Sequence, residues 1–307
     1  MAQRSVIMFS VLSTSDQMNK IAVCFLTRIP NNELIRFANE IINRTEELDI
    51  YVMIDDNTFQ LPLFDKLHFL QINNEECMNS GFKDSVKVIL GKDCLSWDKA
   101  LYYFCCQDGK KYDFLWLIED DVFIPSVDAL MAMNKQCYDK DYDLVCQENH
   151  YNLDGSVKPR TWDLWNDAEG KFPLPWYHSM VCAIGVSRQL LTHIEHYAKT
   201  RHFLPFIEYM FNTIAMHEGL NVYCPPELST INFRHDWLLR EIEERPMNWY
   251  HPIKDFIQQH RFRERLANPL LMIDEEETEQ KQQEYEPACL CLQHHPASKN
   301  IEHLLYQ

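Results

Sequence analysis

Three consecutive carboxylates, Glu119, Asp120 and Asp121, interrupt the apolar run "YDFLWLIEDDVFIP" at 112–125. Burying a bare charge costs several kcal/mol or more, so each must be hydrated, paired or bound to a cation. A second acidic pair, Asp55 and Asp56, closes another apolar run, "DIYVMIDDN" at 49–57. Carboxylate oxygens in a cluster suit a hard divalent cation, Mn²⁺ or Mg²⁺. Such ions keep phosphate ligands, which makes a nucleoside diphosphate the natural companion. The competing reading is structural: Asp120 and Asp121 cap the turn before a helix at 126–137, and Glu119 is solvated. An apolar run this strong, with a second Asp pair at another strand end, weighs against it.

The elements that position these acids follow from periodicity. "KIAVCFLTRIP" (20–30), "DIYVMIDDN", "KLHFLQI" (66–72) and the acidic run itself predict buried strands. Between them, "NNELIRFANEIINRTEEL" places Leu34, Ile35, Ala38, Ile41 and Ile42 on one helical face, with Asn32 as the expected cap. "SWDKALYYFCC" has Trp97, Ala100, Leu101, Phe104 and Cys105 at helical spacing behind Ser96. Strands alternating with helices predict an α/β fold on a mainly parallel sheet. Ligands in such sheets bind at the carboxyl ends of strands, so both acidic clusters are expected on one edge. After about residue 150 comes a long loop region rich in Pro, Gly, Asp and Trp. Then follow a strand and a capped helix in "VCAIGVSRQLLTHIEHYA", a helix in "FLPFIEYMFNTIAMHEG" and a strand in "LNVYCPPELS".

Composition excludes several classes. A net charge of −17 over 307 residues disfavours tracking a nucleic-acid backbone, so no nucleic acid is expected as partner. With only 7 glycines, no Gly-x-Gly-x-x-Gly and no Walker loop, neither a dinucleotide fold nor a P-loop enzyme is expected. The 11 cysteines show no framework spacing, and Cys24, Cys105, Cys106, Cys146 and Cys182 sit in apolar runs. They read as reduced thiols. No apolar run is long enough to span a bilayer. A soluble, cytoplasmic chain without a transmembrane segment is therefore expected. "CLCLQHHP" (289–296) fits no standard zinc module.

The stretch 96–125 resembles the centre of a GT-A glycosyltransferase, in which a helix runs into an apolar strand ending in a "DXD"-type triplet. The form Glu-Asp-Asp after "SWDKAL" is similar to the animal N-acetylglucosaminyltransferase I group. The order of elements is similar over about residues 20–240 and the match is tight over 96–125. The resemblance implies a Rossmann-like, mainly parallel central sheet flanked by helices in a single large domain. The expected organisation is an N-terminal extension at 1–19 and a GT-A domain at 20–265. That domain divides into a nucleotide-sugar half at 20–150 and an acceptor half at 151–265. An acidic tail follows at 266–307, with seven acids and one Lys between 274 and 286.

By resemblance, Asp121 binds the metal, while Glu119 and Asp120 approach the ribose and base or orient the site. Asp55 or Asp56 contacts the base, and Thr27 and Arg28 wrap the nucleoside. In inverting members the acid that opens this helix is the catalytic base, which matches Glu208; a retaining reaction needs no such base, and the expectation here is inversion. His235 in "INFRHDW" supplies a further metal ligand, with Asp236 as the reserve base. The partners implied are a nucleotide-sugar donor and a glycan or glycoconjugate acceptor. From residue type alone, Arg160, Lys158 and Arg234 are candidates to neutralise the diphosphate. Trp162, Trp165, Trp176, Tyr177 and Trp237 are candidates to stack on sugar faces at an acceptor site. Two other functions stay open on the sequence: a metal-dependent sugar nucleotidyltransferase, and a non-catalytic nucleotide-sugar or glycan-binding protein.

Overall fold

Each long apolar run becomes a strand covered on both faces, as a continuous rather than alternating pattern requires. A computed structural model describes residues 20–61, 66–138, 140–157 and 162–270. In chain order the strands are β1 (Ile21–Thr27), β2 (Leu48–Ile54), β3 (Leu67–Leu70), β4 (Phe114–Glu119) and β5 (Leu144–Val145). They continue with β6 (His150–Asn152), β7 (Trp176–His178), β8 (Ala183–Ser187) and β9 (Val222–Tyr223). Seven of them form one sheet in the order β3-β2-β1-β4-β8-β5-β9, and β6 pairs with β7 in a separate ribbon. The expected mainly parallel α/β sheet is present. Its reversed strand is β8, antiparallel to both β4 and β5. The chain crosses the carboxyl edge through the β6–β7 ribbon and enters β8 from that edge, so β8 must run backward.

Side chains of β1 alternate between two cores. Ala22, Cys24 and Leu26 pack with the helices Ser96–Cys106, Arg188–Arg201 and Ile207–His217. Val23 and Phe25 pack with the helices Asn32–Arg44 and Val127–Tyr138. In β8, Gly185 faces the Phe114 and Trp116 rings, and a Cβ there would lie 2.7 Å from the Phe114 ring. The cap of the Asn32–Arg44 helix is Asn31, whose side chain accepts from the Leu34 N–H; the expected Asn32 is the first helical residue. Nor does Ser96 cap its helix. The buried Asp98 reaches back to the Leu95 N–H (2.9 Å) and also accepts from the Ser85 N–H (3.1 Å). Among the described residues, no helix is long and apolar enough to cross a membrane.

A third, smaller cluster fastens the last described helix, Phe256–Ala267, to the body through Phe123, Trp237, Tyr250, Ile253 and Phe262. This helix runs through the boundary expected at 265. Residues 1–19, and the tail from 271 onward with "CLCLQHHP", lie outside the described residues. The helix is anchored by a buried ion pair between Arg263 and Glu33, which are 7% and 6% exposed. The Arg263 guanidinium also lies over the rings of Phe37 (4.0 Å) and Phe123 (4.8 Å) and donates to the Ile124 carbonyl. Arg263→Ala would remove the buried partner of the Glu33 carboxylate and leave it, among the described residues, the two bonds of Arg36 and the contact of His260 at the helix edge. We expect a loss of about 3–5 kcal/mol, as for a broken buried pair, measured by urea unfolding. A change below about 1 kcal/mol, the level of an exposed pair, would show that the pair is not an anchor.

Candidate active site

Because β1, β2 and β4 are mutually parallel, Thr27, Asp55 and Glu119 reach the same sheet edge. Backbone bonds extend the pairing past the strands: the Asp55 N–H donates to the Thr27 carbonyl and the Asp120 N–H to the Leu26 carbonyl. The buried Thr27 hydroxyl donates to Asp120 Oδ2 at 2.5 Å. Burial still pushes the Asp120 carboxyl up to about 7, with Asp121 and Glu119 adding to the rise. Asp55 faces Lys99, a fully buried lysine whose Nζ lies 3.2 Å from Asp55 Oδ1 and donates to the Asp55 carbonyl at 2.6 Å. Asp56 is turned to local work: its Oδ1 accepts from both the N–H and the hydroxyl of Thr58. Arg28 is exposed on the same edge.

Asp121 and Glu119 sit in a tighter nest. The segment Tyr250–Ile253 runs beside Asp121–Phe123, with paired bonds between Phe123 and Tyr250 and a bond from the Ile253 N–H to the Asp121 carbonyl. This segment delivers His251, not the expected His235, to Asp121. Nε2 of His251 lies 3.4 Å from Asp121 Oδ1. Its Nδ1 donates to the Asn232 carbonyl at 2.6 Å, which leaves Nε2 directed at the acid. Trp237 Nε1 donates to the His251 carbonyl and holds the segment from behind. Burial opposes the charge on Asp121, yet the hydrogen bond and charge of His251 hold its carboxyl below the usual range. The imidazole is correspondingly raised against its own burial. Glu119 accepts from Trp97 Nε1 at 2.7 Å. Burial first, then Asp121, pushes its carboxyl up. Ligand atoms of Glu119, Cys182 and His251 all lie within 4.8 Å of one another.

Glu208 opens the Ile207–His217 helix and joins the same electrostatic group. Burial, and after it the Glu119 charge, pushes its carboxyl up to about 8, with His251 opposing and Glu148 adding. The Ser179 N–H donates to its carbonyl and ties the helix start to the β7–β8 connection. Carboxylates thus outnumber cations here, and a divalent ion would relieve the imbalance. The donor set fits one: carboxylate oxygens, an imidazole Nε2 fixed by its Nδ1 hydrogen bond, and the Cys182 thiol nearby. Burial, then Glu119 and Asp121, pushes that thiol far up, so it is protonated and a weak ligand beside the others.

Other expected residues do not enter the acidic nest. His235 lies 3.5 Å from Glu241 and against the Trp237 ring, and Asp236 is exposed beside it. Trp176 belongs to the core, with its Nε1 on the Phe172 carbonyl. Trp162 stacks on His178 at 4.3 Å, and the Tyr177 N–H is bound to Thr213 Oγ1. Arg234 lies over Phe233. Lys158 and Arg160 lie outside the described residues. His251 is the site residue the sequence reading missed. Its signal is slight: a histidine between apolar neighbours in "WYHPI".

The raised Glu208 has a consequence for stability. Its folded-state value of about 8 exceeds the ordinary 4.5, so the folded protein keeps a proton that the unfolded chain releases. Stability therefore falls as pH rises through that window. Without added metal, the melting temperature should drop between about pH 5 and pH 8. Glu208→Gln should flatten the slope, and equal slopes for the two proteins would refute this.

No protein-family model and no curated protein matches the chain. Among solved structures, it is similar to 4-diphosphocytidyl-2C-methyl-D-erythritol synthase from Anaerococcus prevotii, at 7% identity and a TM-score of 0.38. The match covers 82% of this chain and 97% of that one. A likeness at this level says nothing about chemistry.

Proposed function

We propose that the protein is a metal-dependent glycosyltransferase that moves a sugar from a nucleoside diphosphate to an acceptor hydroxyl with inversion. The observation that carries this reading is the convergence of Glu119, Asp121, His251 and Glu208 at one sheet edge. Asp121 and His251, with Glu119 close by, would hold the ion. An imidazole in the set favours Mn²⁺ over Mg²⁺. When bound, the ion offsets the negative charge that develops on the departing diphosphate.

The chain's own residues do the rest. Thr27, Asp120 and the Lys99-fixed Asp55 line the edge where a nucleoside would lie, with Arg28 exposed beside them. Trp97 holds Glu119 against rotation through its indole N–H. Glu208 takes the proton from the acceptor hydroxyl at Oε. A carboxyl tuned upward by burial is suited to that task, because a base works best with its pKa near the working pH. The β6–β7 ribbon, with exposed Tyr151, part-buried Tyr177 and Trp162 stacked on its His178, borders the helix that carries Glu208 and would form the acceptor side.

The test is incubation with a panel of nucleotide sugars and Mn²⁺, with an acceptor mixture of glycans. Released nucleoside diphosphate that requires both metal and acceptor is the expected result. Pyrophosphate released from a nucleoside triphosphate and a sugar phosphate would instead make it a nucleotidyltransferase. Tight nucleotide-sugar binding without turnover across the panel would leave a binding protein.

A further inference from the structure

A pair of cysteines outside the acidic nest stands at the same sheet edge. β5 and β9 are parallel neighbours with Val145 opposite Tyr223, and the Cys146 N–H donates to the Tyr223 carbonyl at 3.0 Å. Cys146 and Cys224 are therefore the next residues in register. Their Sγ atoms lie 3.9 Å apart. Neighbouring strands are spaced at roughly 4.8 Å, inside the Cα separation that a disulfide spans. Cys224 is exposed and Cys146 is buried. The Cys146 thiol faces three other groups as well: it lies 3.1 Å from the Glu148 carbonyl, 3.5 Å from Asn212 Nδ2, and near Ser179. Asn212 sits one helical turn after Glu208, and the charge of Glu148 acts on Glu208.

We propose that Cys146 and Cys224 form a redox-responsive dithiol, which hydroperoxides oxidise to a disulfide that shifts residues 146–149 beside Glu208. The pairing stands independently of the catalytic reading; only its effect on turnover rests on that reading. The two thiols differ in the way the chemistry needs. When its single S–H turns from the Glu148 carbonyl to the neighbouring sulfur, Cys146 holds the Cys224 thiol below the usual range, against its partial burial and the Glu148 charge. The buried Cys24, Cys105 and Cys182 are pushed up by desolvation and are poor nucleophiles. Cys77 and Cys94 are also close, but both are buried and neither offers an exposed sulfur for first attack.

In the first step the Cys224 thiolate attacks one peroxide oxygen. An S–O bond forms, the O–O bond breaks, and the leaving alkoxide or hydroxide takes up a proton. In the second step Cys146 gives up its proton and attacks the Cys224 sulfur. The S–S bond forms, and the S–O bond breaks with loss of water. The net change converts two thiols and one hydroperoxide to a disulfide, an alcohol or water, and one further water. The sulfurs must approach by about 2 Å to reach bonding distance. Pro225 and Pro226 stiffen the chain after Cys224, so the movement falls on the irregular segment 146–149. Oxidation also removes the S–H that faces the Glu148 carbonyl.

The full-length reduced protein would be treated with a small excess of hydrogen peroxide, alkylated, and digested with trypsin without reduction. The tryptic peptides 141–160 and 202–234 each carry a single cysteine, Cys146 and Cys224. The expected product is these two peptides joined at the mass of their sum less two hydrogens, released by dithiothreitol. Cys224→Ser should give none of it. Hydrogen exchange should rise on oxidation at 146–149 and around 208–212, without any need for a substrate. Both peptides recovered as alkylated thiols, or either joined to another cysteine, would overturn the pairing. A joined pair with unchanged exchange would overturn the shift. A failed glycosyltransferase assay bears on neither result.

Discussion

Asp121→Ala is expected to abolish turnover and to weaken Mn²⁺-dependent binding of a nucleoside diphosphate by more than about a hundredfold, beyond what losing a metal's outer partner costs. The reasoning is electrostatic. Asp121 is the carboxylate of the nest held below its usual range, by His251 and against its own burial. That sets it apart from Glu119 and Asp120, whose carboxyls burial pushes the other way. An ion arriving at this edge would meet Asp121 already ionised and would take the place of the His251 proton that holds it so. The fold should survive, because the Asp121 carbonyl, which accepts from the Ile253 N–H, is untouched by the substitution. His251→Ala serves as the companion variant, since it removes the nitrogen ligand and keeps the acid. Titration calorimetry with and without Mn²⁺ separates the metal-dependent part of the affinity. Unchanged metal-dependent affinity in Asp121→Ala, with a normal melting temperature, would remove Asp121 from the site.

The strands carrying Thr27, Asp55 and Glu119 were legible because burial on both faces makes them continuous apolar runs, a local signal. That their ends share an edge followed from strand–helix alternation. The reversal of β8 was not legible, since "AIGVS" reads alike in either direction and only the route through the β6–β7 ribbon sets its sense. His251 was missed for a related reason. Its contact with Asp121 depends on bonds between Tyr250 and Phe123, far apart in sequence, and no local pattern records that pairing. His235 had the more suggestive neighbours in "FRHDW", but it lies beside Glu241. Trp176 shows the same limit: an aromatic in a Pro-rich loop looks like a sugar platform until its indole is found on the Phe172 carbonyl. Asn31 and Asn32 offer the same cap chemistry, and only the backbone at the helix start decides between them.

Glu208→Gln is expected to cut turnover by about a hundredfold or more, the size of a general-base contribution, while donor binding hardly changes. Glutamine keeps the shape and removes the basicity, so the loss falls on a step realised only in the transition state. The structure adds a pH signature. With the carboxyl pushed up to about 8, the wild-type rate should rise with pH through the neutral range as Glu208 loses its proton. A bound cation favours the charged form, so the midpoint measured with Mn²⁺ should lie below the metal-free value. The variant, lacking the titrating group, should show a low rate without that rise. Asp236→Asn is the control: Asp236 is exposed near His235, away from the histidine that meets Asp121, and its turnover should stay near normal. A near-normal rate in Glu208→Gln, or a product with retained anomeric configuration by NMR, would take Glu208 out of the mechanism. Either result leaves the ion site at Asp121 and His251 standing, because no step there depends on the base.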